Sequence, residues 1–284
     1  MKVARHSGFL LATLALSGCA GWVVRPAGPI SGAERLIFLN TLVIMLAIVV
    51  PVILLTIAFA WWYRASNTRA RYLPDWSFSG RIELVVWSIP ALVVFFLGGI
   101  AWISAHQLDP AEPLAGKRAP LEIDVVALDW KWLFIYPQAG VASVNRLVVP
   151  SGVPLRLRLT SATVWNAFWV PELGSMLYCM YGMAGTLYLQ ADHPGRYHGV
   201  SAMISGDGFA SMHFDADALS DAQFTAWTRS ARSSGPALDE SAYRALLQPS
   251  SAIAPYSYRS VTPGLFDAIV LQRLPPGPGT APSH

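Results

Sequence analysis

The sequence predicts a membrane-anchored all-β protein: two transmembrane helices lead into an exported β-sandwich, and a C-terminal helical extension follows it. Three observations carry that expectation. Charged residues make up 13% of the 284 positions and apolar residues 54%, whereas an ordinary soluble domain has ~25% charged residues. Two long uncharged runs occupy much of the first 105 positions. Beyond them the pattern turns to short period-two alternations broken by proline and glycine, which mark half-buried strands. The net charge of +3 is too small to suggest nucleic acid. Two cysteines, Cys19 and Cys179, are too few for a disulfide framework or a thiolate cluster.

At the N-terminus, Lys2 and Arg5 form a basic region, and Phe9 to Leu16 is apolar but too short to span a bilayer. Residues 1–18 therefore read as a secretory signal, excluded from the mature fold. Leu16-Ser17-Gly18-Cys19 is similar to a bacterial lipobox, in which the cysteine is acylated and becomes the first mature residue. The alternative is an ordinary signal with a chance cysteine, but the position directly after the apolar run favours lipidation of Cys19. An acyl chain adds ~0.8 kcal/mol per buried methylene, so the spanning helices remain the principal anchor. Residues 19–35 form an exported N-terminal segment.

No charge falls between Leu36 and Tyr63, and residues 36–63 are the first predicted span. A helix of that length exceeds the ~30 Å hydrocarbon core, so tilt or interfacial overhang is expected. Pro51 lies near its centre, where a kink is expected, and Trp61, Trp62 and Tyr63 close it as an aromatic belt. Asn40, Thr41 and Thr56 are polar groups that partner helices would satisfy. The second span covers 84–105, with Pro90 inside and Trp102 near its end. Between the spans, loop 64–83 carries Arg64, Arg69, Arg71 and Arg81 against Asp75. The positive-inside rule puts that loop in the cytoplasm. Both termini are then periplasmic, in agreement with an exported Cys19.

The β region is placed at 106–217. Leu121, Ile123 and Val125 alternate with Glu122 and Asp124, and Leu155, Leu157 and Leu159 with Arg156 and Arg158. Shorter alternations run over Thr186–Gln190 and Ala210–Asp215, with turn signals at Pro150-Ser151-Gly152, Pro171–Gly174 and His193-Pro194-Gly195. The spacing suggests a sandwich or barrel of about 100 residues. An aromatic-rich helical extension is placed at 218–274. Ser220 and Gln223 form a capping box, Phe224 and Trp227 share a face, and a second helix runs from Glu240 to Leu247. Residues 275–284, rich in proline and glycine, are expected to be a disordered tail.

Two motifs carry a family resemblance. Asp129-Trp130-Lys131-Trp132, with Phe134 and Tyr136, is similar to the aromatic stretch that opens the β domain of subunit II in the haem–copper respiratory oxidases. Glu83-Leu84-Val85-Val86-Trp87-Ser88-Ile89-Pro90 resembles the start of that family's second helix. The resemblance covers nearly the whole mature chain and implies a cupredoxin-like Greek-key β-sandwich. In the cytochrome c oxidases of this family the domain holds a two-copper centre, built from two bridging thiolates, two imidazoles, a thioether and a carbonyl. Here Ser201 and Ser205 match the bridging cysteines, Phe209 the downstream histidine and Asn166 the upstream one, while Met212 keeps the thioether. Soft thiolates make such a site hold copper, and a lone thioether does not, so these positions read as a degenerate copper site. His193, His198 and His213 are close in sequence, but alternation turns the last two toward solvent and no cysteine accompanies them. Cys179 reads as a small hydrophobe. No metal and no cofactor is expected in this chain.

Within the superfamily, loss of that centre resembles the bo-type ubiquinol oxidases. The resemblance implies a non-catalytic subunit II of a proton-pumping ubiquinol oxidase, with haem and copper in a partner subunit I. Expected partners are subunit I, other oxidase subunits, membrane lipid and, through the complex, ubiquinol, but not cytochrome c. Beyond His106 there are 14 acidic and 12 basic residues, a balance that steers a basic donor weakly. Glu83 matches the family's acid near the entrance of a proton channel; equally, a helix-start carboxylate is favoured by the macrodipole by ~0.3–1 kcal/mol. Trp130 matches the tryptophan that takes in electrons in copper-bearing relatives, and without copper a structural role is expected. Trp165, Trp169, Tyr178 and Tyr181 read as core or interface packing. Trp227, Tyr243, Tyr256, Tyr258 and Phe266 belong to an extension that covers the β domain or docks on a neighbour. The competing reading is a stand-alone membrane lipoprotein with a copper-free cupredoxin fold, acting as an assembly or binding factor.

Overall fold

The computed structural model describes residues 24–71, 73–116 and 118–278. The signal segment 1–18, Cys19 and residues 279–284 of the expected tail lie outside the described residues. The chain divides into two units, Glu34–Asp109 and the remainder, Met1–Ala33 with Pro110–His284.

In the first unit the apolar runs are helical. Helix α1 spans Pro29–Trp62 and α2 spans Gly80–Gln107. Both are longer and more apolar than a bilayer crossing requires. They also start earlier than the uncharged runs. Proline at the first helical position lacks only an N–H that would be unpaired anyway, so α1 begins at Pro29 and takes in Glu34 and Arg35. The hydroxyls of Thr41 and Thr56 donate to the carbonyls of Ile37 and Val52 one turn back. Those two donors are therefore satisfied within the helix, whereas Asn40 makes no such local bond among the described residues.

The second unit is a two-sheet sandwich. Its strands are β1 Leu121–Leu128, β2 Lys131–Tyr136, β3 Val141–Val144, β4 Arg146–Pro150, β5 Leu155–Ser161, β6 Asn166–Trp169, β7 Leu177–Cys179, β8 Gly185–Leu189, β9 Gly195–Ser201 and β10 His213–Leu219. The C-terminal region adds α3 Asp221–Ser233, β11 Ala237–Leu238, α4 Glu240–Leu246, β12 Tyr256–Tyr258, β13 Ser260–Val261 and α5 Leu265–Val270. The first sheet has the order β12-β3-β2-β1-β5-β8 and the second β4-β10-β9-β6-β7. The pairs β1/β5 and β4/β10 are parallel, with Val125 beside Leu159 and Asp217 beside Val148. Between the sheets, Trp132, Phe134, Phe168 and Phe214 form an aromatic cluster. Phe168 stacks on Phe214 at 5.1 Å, and Trp132 meets Phe168 edge-on at 5.4 Å. Gly199 is needed there, because a Cβ would lie 2.1 Å from the Phe214 ring.

Strand β1 is expected from its alternation to be half-buried, yet it is buried at all but its first two positions, and β2 is buried at every one. Their second face carries Val126, Leu128, Leu133 and Ile135. These pack against Leu238, Tyr243, Leu246, Tyr258, Leu265, Phe266 and Ile269 of the extension. The extension therefore covers the β domain, and it is not purely helical: β12 joins the edge of the first sheet, with Tyr258 beside Ala142. The Ser220–Gln223 capping box forms at the start of α3. Polar ties fix the cover. The Lys131 ammonium donates to the Gln248 carbonyl at 2.7 Å and the Ser250 hydroxyl at 2.5 Å, and the Asn145 amide donates to the Ile253 carbonyl at 3.0 Å.

Two expectations about local order are corrected. The alternation over Ala210–Asp215 is not one strand: Phe209–Ser211 is a 3-10 turn and β10 starts at His213. Gly206, at φ 104°, sets up that turn in a conformation that disfavours other residues. The expected tail also starts as an ordered strap. Gly277 is buried and its N–H donates to the Ala162 carbonyl at 2.9 Å, because the prolines around it cannot offer that donor.

Candidate functional site

The positions matched to the copper ligands converge at one end of the sandwich, where β6, β9 and the loop 202–212 meet. Strand β6 brings in Asn166, which is 1% exposed, and β9 ends at Ser201, 5% exposed. The Ser201 hydroxyl is shared between the Asn166 side-chain oxygen at 3.2 Å and the Met203 carbonyl at 3.3 Å. The Asn166 amide donates to the Val164 carbonyl, and the Ser201 N–H to the Met212 carbonyl at 3.1 Å. Ser205 points its hydroxyl at the Met212 sulfur, 3.9 Å away. Phe209 sits on the 3-10 turn, where its N–H binds Gly206 and its carbonyl accepts from Met212. The structure thus gathers Asn166, Ser201, Ser205 and Met212 into one self-satisfied cluster, with Phe209 on the same loop.

Trp130 closes over it. Its backbone is left-handed at φ 61°, and its indole N–H donates to the Ser205 carbonyl at 3.0 Å. The ring lies so close to the loop that a Cβ on Gly208 would be 2.2 Å from it. Trp130 is therefore a structural wedge on the loop. Trp165 stacks on Tyr178 at 5.5 Å, half exposed, whereas the Trp169 indole N–H is satisfied by the Gly174 carbonyl.

The donor set does not fit copper. Hydroxyls, an amide and one thioether lack the thiolates and imidazoles that such a centre requires. Cys179 is paired across the ladder with Asn166, which makes it the nearest thiol by register. Burial pushes it up to about 12, so it stays a protonated small hydrophobe. Among the described residues no trio of His, Cys, Asp and Glu is arranged to hold a metal ion.

Several ionisable groups escaped the sequence reading. Lys131 is 1% exposed, and burial lowers its ammonium to about 8 against the opposing effect of Asp129. A lysine on an alternating strand reads as solvated; the extension that buries it is more than a hundred residues away. Asp124, also buried, is pushed up to about 6 by burial, with Arg158 working against the shift. Arg158 ties it to the extension through a 2.5 Å contact with Asp267 and lies over the Phe266 ring at 4.5 Å. Burial would raise Asp217 too, but hydrogen bonds from Arg196 and Arg146, at 2.8 and 2.7 Å, hold its carboxyl below the ordinary range. Glu83 lies in the first turn of α2, with its N–H on the Ser79 carbonyl at 3.0 Å.

Two long apolar helices followed by a sandwich with this loop define the class of oxidase subunit II proteins. The family profile described as cytochrome c oxidase subunit II, periplasmic domain, matches residues 122–219, and the aromatic-rich motif of the same oxidases matches 232–277. Ubiquinol oxidase subunit 2 of Acetobacter aceti is 44% identical over 95% of this chain and 88% of its own length. Cytochrome bo(3) ubiquinol oxidase subunit 2 of Pseudomonas aeruginosa is 42% identical over 97% of this chain and 83% of its own. The periplasmic domain of cytochrome oxidase subunit II from Bradyrhizobium japonicum superposes with a TM-score of 0.39 at 24% identity, covering 42% of this chain and 98% of that one. The chain belongs to the ubiquinol oxidase subunit 2 family of the haem–copper oxidases. Membership sets aside the reading as a stand-alone lipoprotein.

Proposed function

We propose that this chain is the non-catalytic, copper-free subunit II of a proton-pumping ubiquinol oxidase, which holds subunit I and leaves haem, copper and oxygen reduction to it. The observation that carries this reading is the closed cluster at Asn166, Ser201, Ser205 and Met212. Its polar atoms pair with one another, and its chemistry offers copper no thiolate or imidazole. A lipid-soluble quinol that reaches subunit I within the bilayer needs no exported relay. Loop 64–83 faces the cytoplasm in this reading, both termini are periplasmic, and Cys19 carries a lipid anchor in the inner membrane.

Glu83 is the one residue of this chain assigned to proton handling. At the cytoplasmic start of α2 its carboxylate takes protons from bulk water and passes them toward subunit I. The test is copper and haem content of the purified complex, with oxygen uptake assayed on ubiquinol and on reduced cytochrome c. One copper per complex in chelator-washed protein and turnover on quinol alone are expected; two additional coppers, or turnover on cytochrome c, would refute the assignment. Glu83→Gln should slow quinol turnover with assembly intact, and an unchanged rate would return Glu83 to a helix-start charge.

A further inference from the structure

On the opposite side of β9 from the closed cluster, two imidazoles meet. Strand alternation buries Tyr197, Phe214 and Ala216 toward the core and sends His198 and His213 to the outer face of the second sheet. They are diagonal neighbours in the antiparallel β9/β10 ladder, where His198 faces Asp215 and His213 faces Val200. Their ring centroids are 5.5 Å apart, with a tilt of 37°. A metal–imidazole bond is about 2.0–2.1 Å, so two rings sharing one ion place their centroids roughly 5–6 Å apart at ordinary coordination angles. The pair already stands at that spacing on a hydrogen-bonded ladder.

We propose that His198 and His213 bind one late first-row divalent cation, Cu(II) ahead of Zn(II), through one nitrogen each. Imidazole suits both ions, and the Irving–Williams order puts Cu(II) first. Water fills the remaining positions. Asp215, directly opposite His198, stays with Arg196 at 3.7 Å and is not a ligand. The charge of Arg196 is already offset by Asp217 at 2.8 Å. Loop 202–212 leaves β9 just after Ser201 and returns just before His213. An ion on this pair therefore staples the base of that loop.

The test uses the full-length chain in detergent, without a polyhistidine tag, titrated with Cu(II) alone. One equivalent should bind with an electron paramagnetic resonance spectrum of two imidazole nitrogens, and binding should protect residues 202–212 from hydrogen exchange. His198→Gln and His213→Gln should each lower the affinity by about tenfold or more, since each removes one of two protein ligands, and Zn(II) should compete. Circular dichroism checks that these outer-face variants stay folded. Unchanged Cu(II) affinity in the double variant, or a spectrum with fewer than two imidazole nitrogens, would overturn the proposal.

Discussion

The two faces of the first sheet are closed in different ways. Its inner face meets the second sheet through a cluster of rings, Trp132, Phe134, Phe168 and Phe214, built from strands of the sandwich itself. Its outer face meets the C-terminal extension, and there apolar contacts are mixed with buried ionisable groups, Lys131 and Asp124. An aromatic interior is indifferent to pH. A cover pinned by a buried ammonium and a buried carboxyl is not, since each costs free energy in its charged form. The inner face thus sets whether the domain exists, and the outer face sets whether its cover stays down.

Phe214→Ala should have the largest effect, because it removes a ring stacked at 5.1 Å in the inner cluster. A loss of about 3–5 kcal/mol is expected, read as collapse of cooperative thermal unfolding. A shift confined to the extension would break the comparison. Asp124→Asn comes next. With the carboxyl held near 6, the folded chain keeps a proton that the unfolded chain has lost between about pH 4 and 6. Stability therefore falls as pH rises through that window, by about 2–3 kcal/mol. The asparagine variant should lack this fall, so denaturation at pH 4 and pH 7 should bring it closer to equal stability than the parent.

Lys131→Met tests the opposite sign. The ammonium, lowered to about 8, is lost from the folded chain before the unfolded one, so the parent gains stability between about pH 8 and the ordinary lysine range, by roughly 3 kcal/mol. The variant should show no such gain. Ile269→Val is the mildest change, about 1 kcal/mol. Hydrogen exchange should place that loss in residues 237–270 and leave β9 and β10 unaltered, since local openings are independent where contacts are few.

Much of the inner architecture was legible in the sequence, and the outer was not. Alternation at Leu155, Leu157 and Leu159 foretold β5, and Ser220 with Gln223 foretold the start of α3, because both signals are local. The gathering of Asn166, Ser201, Ser205 and Met212 came from a family pattern. Their spacing alone does not state that a hydroxyl and an amide will bond across two strands. Lys131 was opaque, since its burial depends on Gln248 and Ser250, far along the chain. Asp124 was opaque for the same reason, through Asp267. The strap at Gly277 was hidden by composition: proline and glycine suggest disorder unless a distant carbonyl, here Ala162, accepts the one donor left.

Strand β12 also has a consequence in time. The chain is made from its N-terminus, so Tyr256–Tyr258 follows every other strand of the first sheet. Until it arrives, β3 presents unpaired amides and carbonyls, a template for joining another chain. A nascent subunit thus carries an open sheet edge until Tyr258 has been made, and a stop codon near residue 250 would leave that liability permanent.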